Sequence, residues 1–144
     1  MSRRSVKTVP AAAAAAAAVV AGTPFTAQAA SYSGGNYGAY AFEGQYPTVG
    51  GCAGTFSQKY VRYAEGMTLR YYYSGTCGSF ARIENSRQGC VAVAQRADGG
   101  GWVSESVDPG INYAYTKIAN NLNGRLSRAI LSCDGHDLTS TPWY

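Results

Sequence analysis

The sequence holds a single histidine and no two cysteines in a C-x2-C spacing. Structural zinc sites draw their ligands from such close pairs, so Cys52, Cys77, Cys90 and Cys133 do not read as a metal set, and no cofactor is implied. Only 14% of residues are charged, and nothing after Ala30 is apolar for long enough to be a membrane helix. No amphipathic helical pattern of useful length is present, and no repeat of fixed period. A nucleic-acid partner needs clustered basic surface. Arg125 and Arg128 near Lys117 form at most a small patch, which reads as solvated strand faces.

The N-terminus has the marks of an export signal. Arg3, Arg4 and Lys7 form a positive region, Ala11 to Ala21 an apolar one too short to span a bilayer, and Ala27-Gln28-Ala29 a small-residue cleavage site. The expected division is a signal peptide over 1–29, a Gly/Tyr-rich flexible segment over 30–51 and a single domain over 52–144. Ser2-Arg3-Arg4-Ser5-Val6-Lys7 also resembles a twin-arginine signal, while the general secretory route suits a small protein with no evident cofactor. Removing the signal changes the charge. The chain has 12 Lys and Arg against 8 Asp and Glu; three of the 12 leave with the signal and no acid does, so the net charge falls from +4 to +1.

What is present is tyrosine, glycine and cysteine. All 12 Tyr lie after the signal, in a stretch of about 115 residues, enough for one modest core. Ser31 to Gly51 mixes Gly, Ser and Asn with Tyr32, Tyr37, Tyr40 and Tyr46, a composition that favours a flexible leader. In an exported chain, four Cys point to two disulfides. Four Cys allow three pairings; counting back across the Ala64-Glu65-Gly66 turn puts Cys52 near Cys77, which leaves Cys90 with Cys133. Each bridge would contribute about 3–4 kcal/mol by the loop-entropy model.

Met67 to Glu84 organises the rest. Met67, Leu69, Tyr71 and Tyr73 alternate with Thr68, Arg70 and Tyr72, the period-2 pattern of a half-buried strand. Ser74 to Ser79 is a turn of small residues, and Phe80 to Glu84 returns. If the hairpin is symmetric about Thr76, Arg70 lies opposite Arg82 and Tyr72 opposite Phe80, partners about 5 Å apart on one face. Further strands are expected at Thr55–Tyr63, Cys90–Arg96, Trp102–Val107, Ile111–Ile118 and Leu126–Cys133, separated by Asn85–Gly89, Ala97–Gly101, Asp108-Pro109-Gly110 and Asn120–Gly124, with Asp134–Tyr144 as a tail. About seven short strands with Gly-rich turns predict an all-β fold, an antiparallel sandwich or small barrel stapled by two disulfides.

Cys52, Leu69-Arg70-Tyr71, Cys77, Phe80-Ala81-Arg82 and Asp108-Pro109-Gly110-Ile111-Asn112-Tyr113-Ala114-Tyr115 together resemble the pattern of the YjfA-like small secreted proteins of Gram-positive bacteria. The resemblance covers about Cys52 to Ile118. The chain departs from that pattern at Phe80, where Trp is usual, at the added Tyr72 and Tyr73, and in lacking a double-Cys lead-in. The family implies secretion and an all-β domain, and it supplies no catalytic residues.

Chemistry is sparse. A Ser/His/Asp site would have to use His136 between Asp134 and Asp137, a pattern better read as a polar turn. No pair of carboxylates stands out for glycoside hydrolysis. Binding is the stronger reading: Arg70 and Arg82 could hold an anion, Tyr72 and Phe80 could stack on a sugar, and Trp102, Tyr113 and Tyr115 could extend that platform. The competing reading makes the two arginines cover for the sheet, stacked on rings or paired with Glu84. The expectation is a small non-catalytic secreted domain that binds a cell-wall polymer or an extracellular protein, the alternatives being a small hydrolase or an extracellular protease inhibitor.

Overall fold

The structure, a computed structural model, describes residues 42–97 and 102–144. The expected signal peptide, Tyr32, Tyr37 and Tyr40 of the leader, and Asp98 to Gly101 of one expected loop lie outside them.

Eight strands form: β1 (Ser57–Ala64), β2 (Met67–Ser74), β3 (Gly78–Glu84), β4 (Cys90–Arg96), β5 (Trp102–Ser106), β6 (Ala114–Tyr115), β7 (Ser127–Cys133) and β8 (His136–Ser140). They make two antiparallel sheets, ordered β1-β2-β3-β6 and β5-β4-β7-β8. The sheets pack face to face, with β1 against β8 at one edge and β5 against β6 at the other. Among the described residues there is no helix long and apolar enough to cross a membrane.

Alternation decides the core. Met67, Leu69, Tyr71, Ala81 and Ile83 point inward from the first sheet, and Cys90, Ala92, Ala94, Ala129, Leu131 and Cys133 from the second. The second sheet presents mainly small side chains, and the larger ones of the first fill the space between. Both disulfides form as expected, Cys52–Cys77 and Cys90–Cys133. The second joins directly opposed residues of β4 and β7.

Three expectations need correction. The tail after Cys133 contains β8. Asp134 and Gly135, both at positive φ, form a two-residue turn between β7 and β8, the geometry that Asp-Gly favours because it matches strand twist. The Ile111–Ile118 strand shrinks to two residues. The Ala81 amide is satisfied by Thr116 Oγ1 at 3.1 Å rather than by a backbone carbonyl, which breaks the ladder. Further along, Ile118 exchanges backbone hydrogen bonds with Gly44 and Gln45. Finally, the leader is not separate from the domain where it is described. Phe42 and Val49 pack on Cys52, Cys77 and Ile118. The Glu43 carboxylate is fully buried, 3.0 Å from Arg96 Nη1, and also accepts the Asn120 amide at 3.3 Å. The domain therefore begins before Cys52, and residues 42–56 act as a strap across one end of the sandwich. Gly78 marks how closely the chain approaches there: a Cβ on it would run into the Ala119 carbonyl, and its positive φ suits glycine alone.

A buried polar chain ties the two sheets together. Asn121 Nδ2 donates to Tyr71 Oη at 2.8 Å, Tyr71 shares a hydroxyl bond with Ser127 at 2.6 Å, and Ser127 another with Ser79 at 2.7 Å. Burial pushes the Tyr71 phenol above its ordinary 10.0, against the opposing effect of the two serines.

Two stability changes are expected. Glu43→Ala leaves Arg96 buried without this partner and should cost about 3–5 kcal/mol in urea denaturation; a loss below about 1 kcal/mol would mean the strap lies outside the cooperative unit. Tyr71→Phe removes one hydroxyl and strands its partners, costing about 1–3 kcal/mol, read as a fall in Tm of several degrees.

Candidate functional site

The outward face of the β2–β3 hairpin meets the strap and the 113–115 segment in an open groove of about 370 Å³. Its lining is Tyr72, Phe80 and Arg82 from the hairpin, Tyr113 and Tyr115 from the segment leading through β6, and Pro47, Thr48, Gly54 and Phe56 from the strap. The size falls in the range of ligand sites, roughly 300–1,000 Å³.

Register puts the hairpin residues there. Arg70 pairs with Arg82 and Tyr72 with Phe80, as symmetry about Thr76 requires. The Tyr72 and Phe80 rings stack with centroids 4.7 Å apart and planes 7° apart. Phe56 meets Phe80 edge-on at 4.9 Å, and Tyr115 lies 6.5 Å from it on another side, also edge-on. Phe80 is thus the nearly buried hub of the aromatic set. Tyr113 is 40% exposed, and the Arg82 guanidinium carbon stands 5.2 Å from its ring centre.

The two arginines share one carboxylate. Glu84 accepts from Arg82 Nε at 2.7 Å and from Arg70 Nε at 3.1 Å. Arg70 also donates to Gln58 Oε1 at 2.7 Å. Partial burial alone would raise the Glu84 carboxyl; the two arginines outweigh it and hold the group below its ordinary 4.5. The hydrogen bond to Glu84 likewise raises Arg70. Two guanidinium groups against one carboxylate leave this end of the groove with an excess positive charge. The ion-pair cover anticipated for the arginines is therefore present, and Arg82 still lines the groove.

Of the expected platform, Tyr72, Phe80, Arg82, Tyr113 and Tyr115 come together. Arg70 flanks the groove behind Glu84. Trp102 does not join: it opens β5 in the other sheet, buried against Val93 and Ile130. The strand at Trp102 was expected, but only the strand order shows which sheet it belongs to. Pro47, Thr48, Gly54 and Phe56 were missed. The signal that could have found them is the Cys52–Cys77 pairing, which forces the residues flanking Cys52 to lie beside the hairpin turn. His136 is exposed at the start of β8, and its carbonyl accepts from Ser132 Oγ. Asp134 is taken by Arg87 at 3.0 Å, and among the described residues no hydrogen bond joins the His136 ring to a carboxylate. The described residues contain no group of three or more potential metal ligands.

Fold and site together define a disulfide-stapled all-β sandwich with an aromatic groove on one sheet. Comparison with protein-family models, curated proteins and solved structures gives no match to this chain.

Glu84→Gln should destabilise the protein by about 1 kcal/mol at pH 7. Because the folded-state carboxyl is depressed, its contribution is present above the unfolded value near 4.5 and disappears as pH falls through the lower folded value. Urea midpoints of wild type and variant should therefore differ at neutral pH and converge in acid.

Proposed function

We propose that this is a small exported, non-catalytic binding domain whose groove takes a stretch of cell-envelope glycan. The observation that carries the reading is the groove itself: four rings and Phe56 gathered around a single guanidinium on a rigid scaffold. A pyranose presents an apolar C–H face to an aromatic ring and hydroxyls at its edge. Rings supply area with little conformational cost, and Arg82 and the tyrosine hydroxyls supply directional bonds. A groove open to solvent suits a segment of polymer better than an enclosed small molecule.

Export belongs to the same proposal. The signal-like N-terminus supports it, and two disulfides suit an oxidising compartment. The resemblance of the hairpin core and the Asp108-Pro109-Gly110 turn to the pattern of the YjfA-like secreted proteins of Gram-positive bacteria supports export as well. The domain meets its polymer outside the cell.

The test is retention of purified protein on insoluble cell-wall material, chitin and cellulose. Wild type should be retained on at least one; Tyr113→Ala and Tyr115→Ala should each weaken retention roughly tenfold. Trp102→Phe and His136→Ala should leave it unchanged. Retention on none of these materials, or retention indifferent to both tyrosines, sinks the groove as a glycan site.

A further inference from the structure

The groove does not end at Tyr113 and Tyr115. These two residues, with Ala114, also help line a second hollow of about 200 Å³ at the edge where β5 meets β6. Its other walls include Tyr46, Glu105, Ser106 and Asp108. Tyr46 packs edge-on against Tyr115, centroids 5.9 Å apart, and donates its hydroxyl to Glu105 Oε2 at 3.1 Å. Burial first, and then the Glu105 charge, raise the Tyr46 phenol above 10.0, so it stays protonated as that donor. Lys117 sits over the Tyr46 ring at 5.5 Å and the Arg82 guanidinium carbon 5.2 Å from the Tyr113 ring centre, so these cations face rings of the hollow rather than its carboxylates.

The hollow differs from the groove in charge. The ion pairs among the described residues engage Glu43, Glu84 and Asp134; neither Glu105 nor Asp108 has such a partner. Glu105 is half-buried and Asp108 exposed. Two carboxylates therefore face one hollow with no ion-pair partner among the described residues, while in the adjoining groove two guanidinium groups share one carboxylate. The two tyrosines form the partition between a cationic end and an anionic end.

We infer that the cleft as a whole recognises a glycan bearing free amino groups, one sugar packed on the groove rings and the ammonium of a neighbouring sugar held between Glu105 and Asp108. This rests on the reading of the groove as a glycan site and names its substrate class. An ammonium supplies three donors and one positive charge, matching two carboxylates; an N-acetylated sugar offers neither that charge nor those donors. A neutral glycan would leave both carboxylates facing ligand without compensation, at a cost in affinity.

The probes are β-linked glucosamine polymer (chitosan) and its N-acetylated counterpart (chitin), as matched particles at mildly acidic pH and low salt, with lysine homopolymer on beads as a third arm. Wild type should bind chitosan about tenfold more tightly than chitin, and the preference should shrink as salt rises. The Glu105→Gln/Asp108→Asn double variant, which keeps side-chain size, should lose the preference, through weaker binding to chitosan and binding to chitin no weaker than wild type, with an unchanged thermal midpoint. Equal retention of wild type on the two glycans overturns the inference and leaves the groove reading standing. So does a preference that survives in the double variant, since it would arise elsewhere on the surface. Binding to the lysine polymer without binding to either glycan overturns the glycan class in favour of a cationic peptide. Retention on no probe and no wall material overturns the groove reading and this inference together.

Discussion

The register of the β2–β3 hairpin is the constraint on which the molecule depends. Side chains alternate with a period of two, so a slip of one residue would exchange the faces of the strand. In the observed register, Leu69, Tyr71, Ala81 and Ile83 enter the core while Arg70, Tyr72, Phe80 and Arg82 stand outside. The same choice therefore creates the hydrophobic core and the groove. Tyr71 and Tyr72 are adjacent and chemically identical, yet one anchors a buried hydroxyl chain between the sheets and the other stacks on Phe80 at the surface. Burial of the inner set makes this register hard to escape, and the small-residue turn ending in Gly78 admits it.

The strap is the second level. It carries little regular structure of its own, and three different interactions hold it. Cys52–Cys77 ties it to the hairpin turn. Glu43 and Arg96 tie it to the end of β4. Backbone bonds between 44–45 and Ile118 tie it to the segment beyond β6. A buried ion pair is a poor source of net stability but costly to break, so its role here is to fix position. With the strap placed, Phe56 closes on Phe80 and Pro47 and Thr48 wall the groove. The site is thus made by segments far apart in the chain, around a hub that the hairpin supplies.

Electrostatics shape the site without dominating it. Glu84 neutralises part of the charge of two opposed arginines, which like-charged neighbours on facing strands require. Arg82 is held rather than free, so a ligand meets a guanidinium already fixed in direction, with less entropy to lose on binding. The acidic hollow on the other side of Tyr113 and Tyr115 gives the cleft a polarity that net charge does not reveal.

The amino-acid sequence by itself determined the all-β class, the two faces of the β2–β3 hairpin with Arg70 opposite Arg82, and the nearness of Cys52 to Cys77, because each follows from period-two alternation or from turns only a few residues long; Cys90–Cys133 followed as the pair left over. Even β8 was within reach, through Asp134-Gly135. The tertiary structure alone decided that Trp102 belongs to the sheet facing away from the groove, that Thr116 interrupts the strand after Tyr115, and that a glycine-rich leader becomes a wall of the site. These outcomes depend on which strands become neighbours and on contacts between Glu43 and Arg96, or Phe56 and Phe80. Such contacts join residues far apart in the chain, and local pattern carries no information about which of many distant partners a side chain will meet.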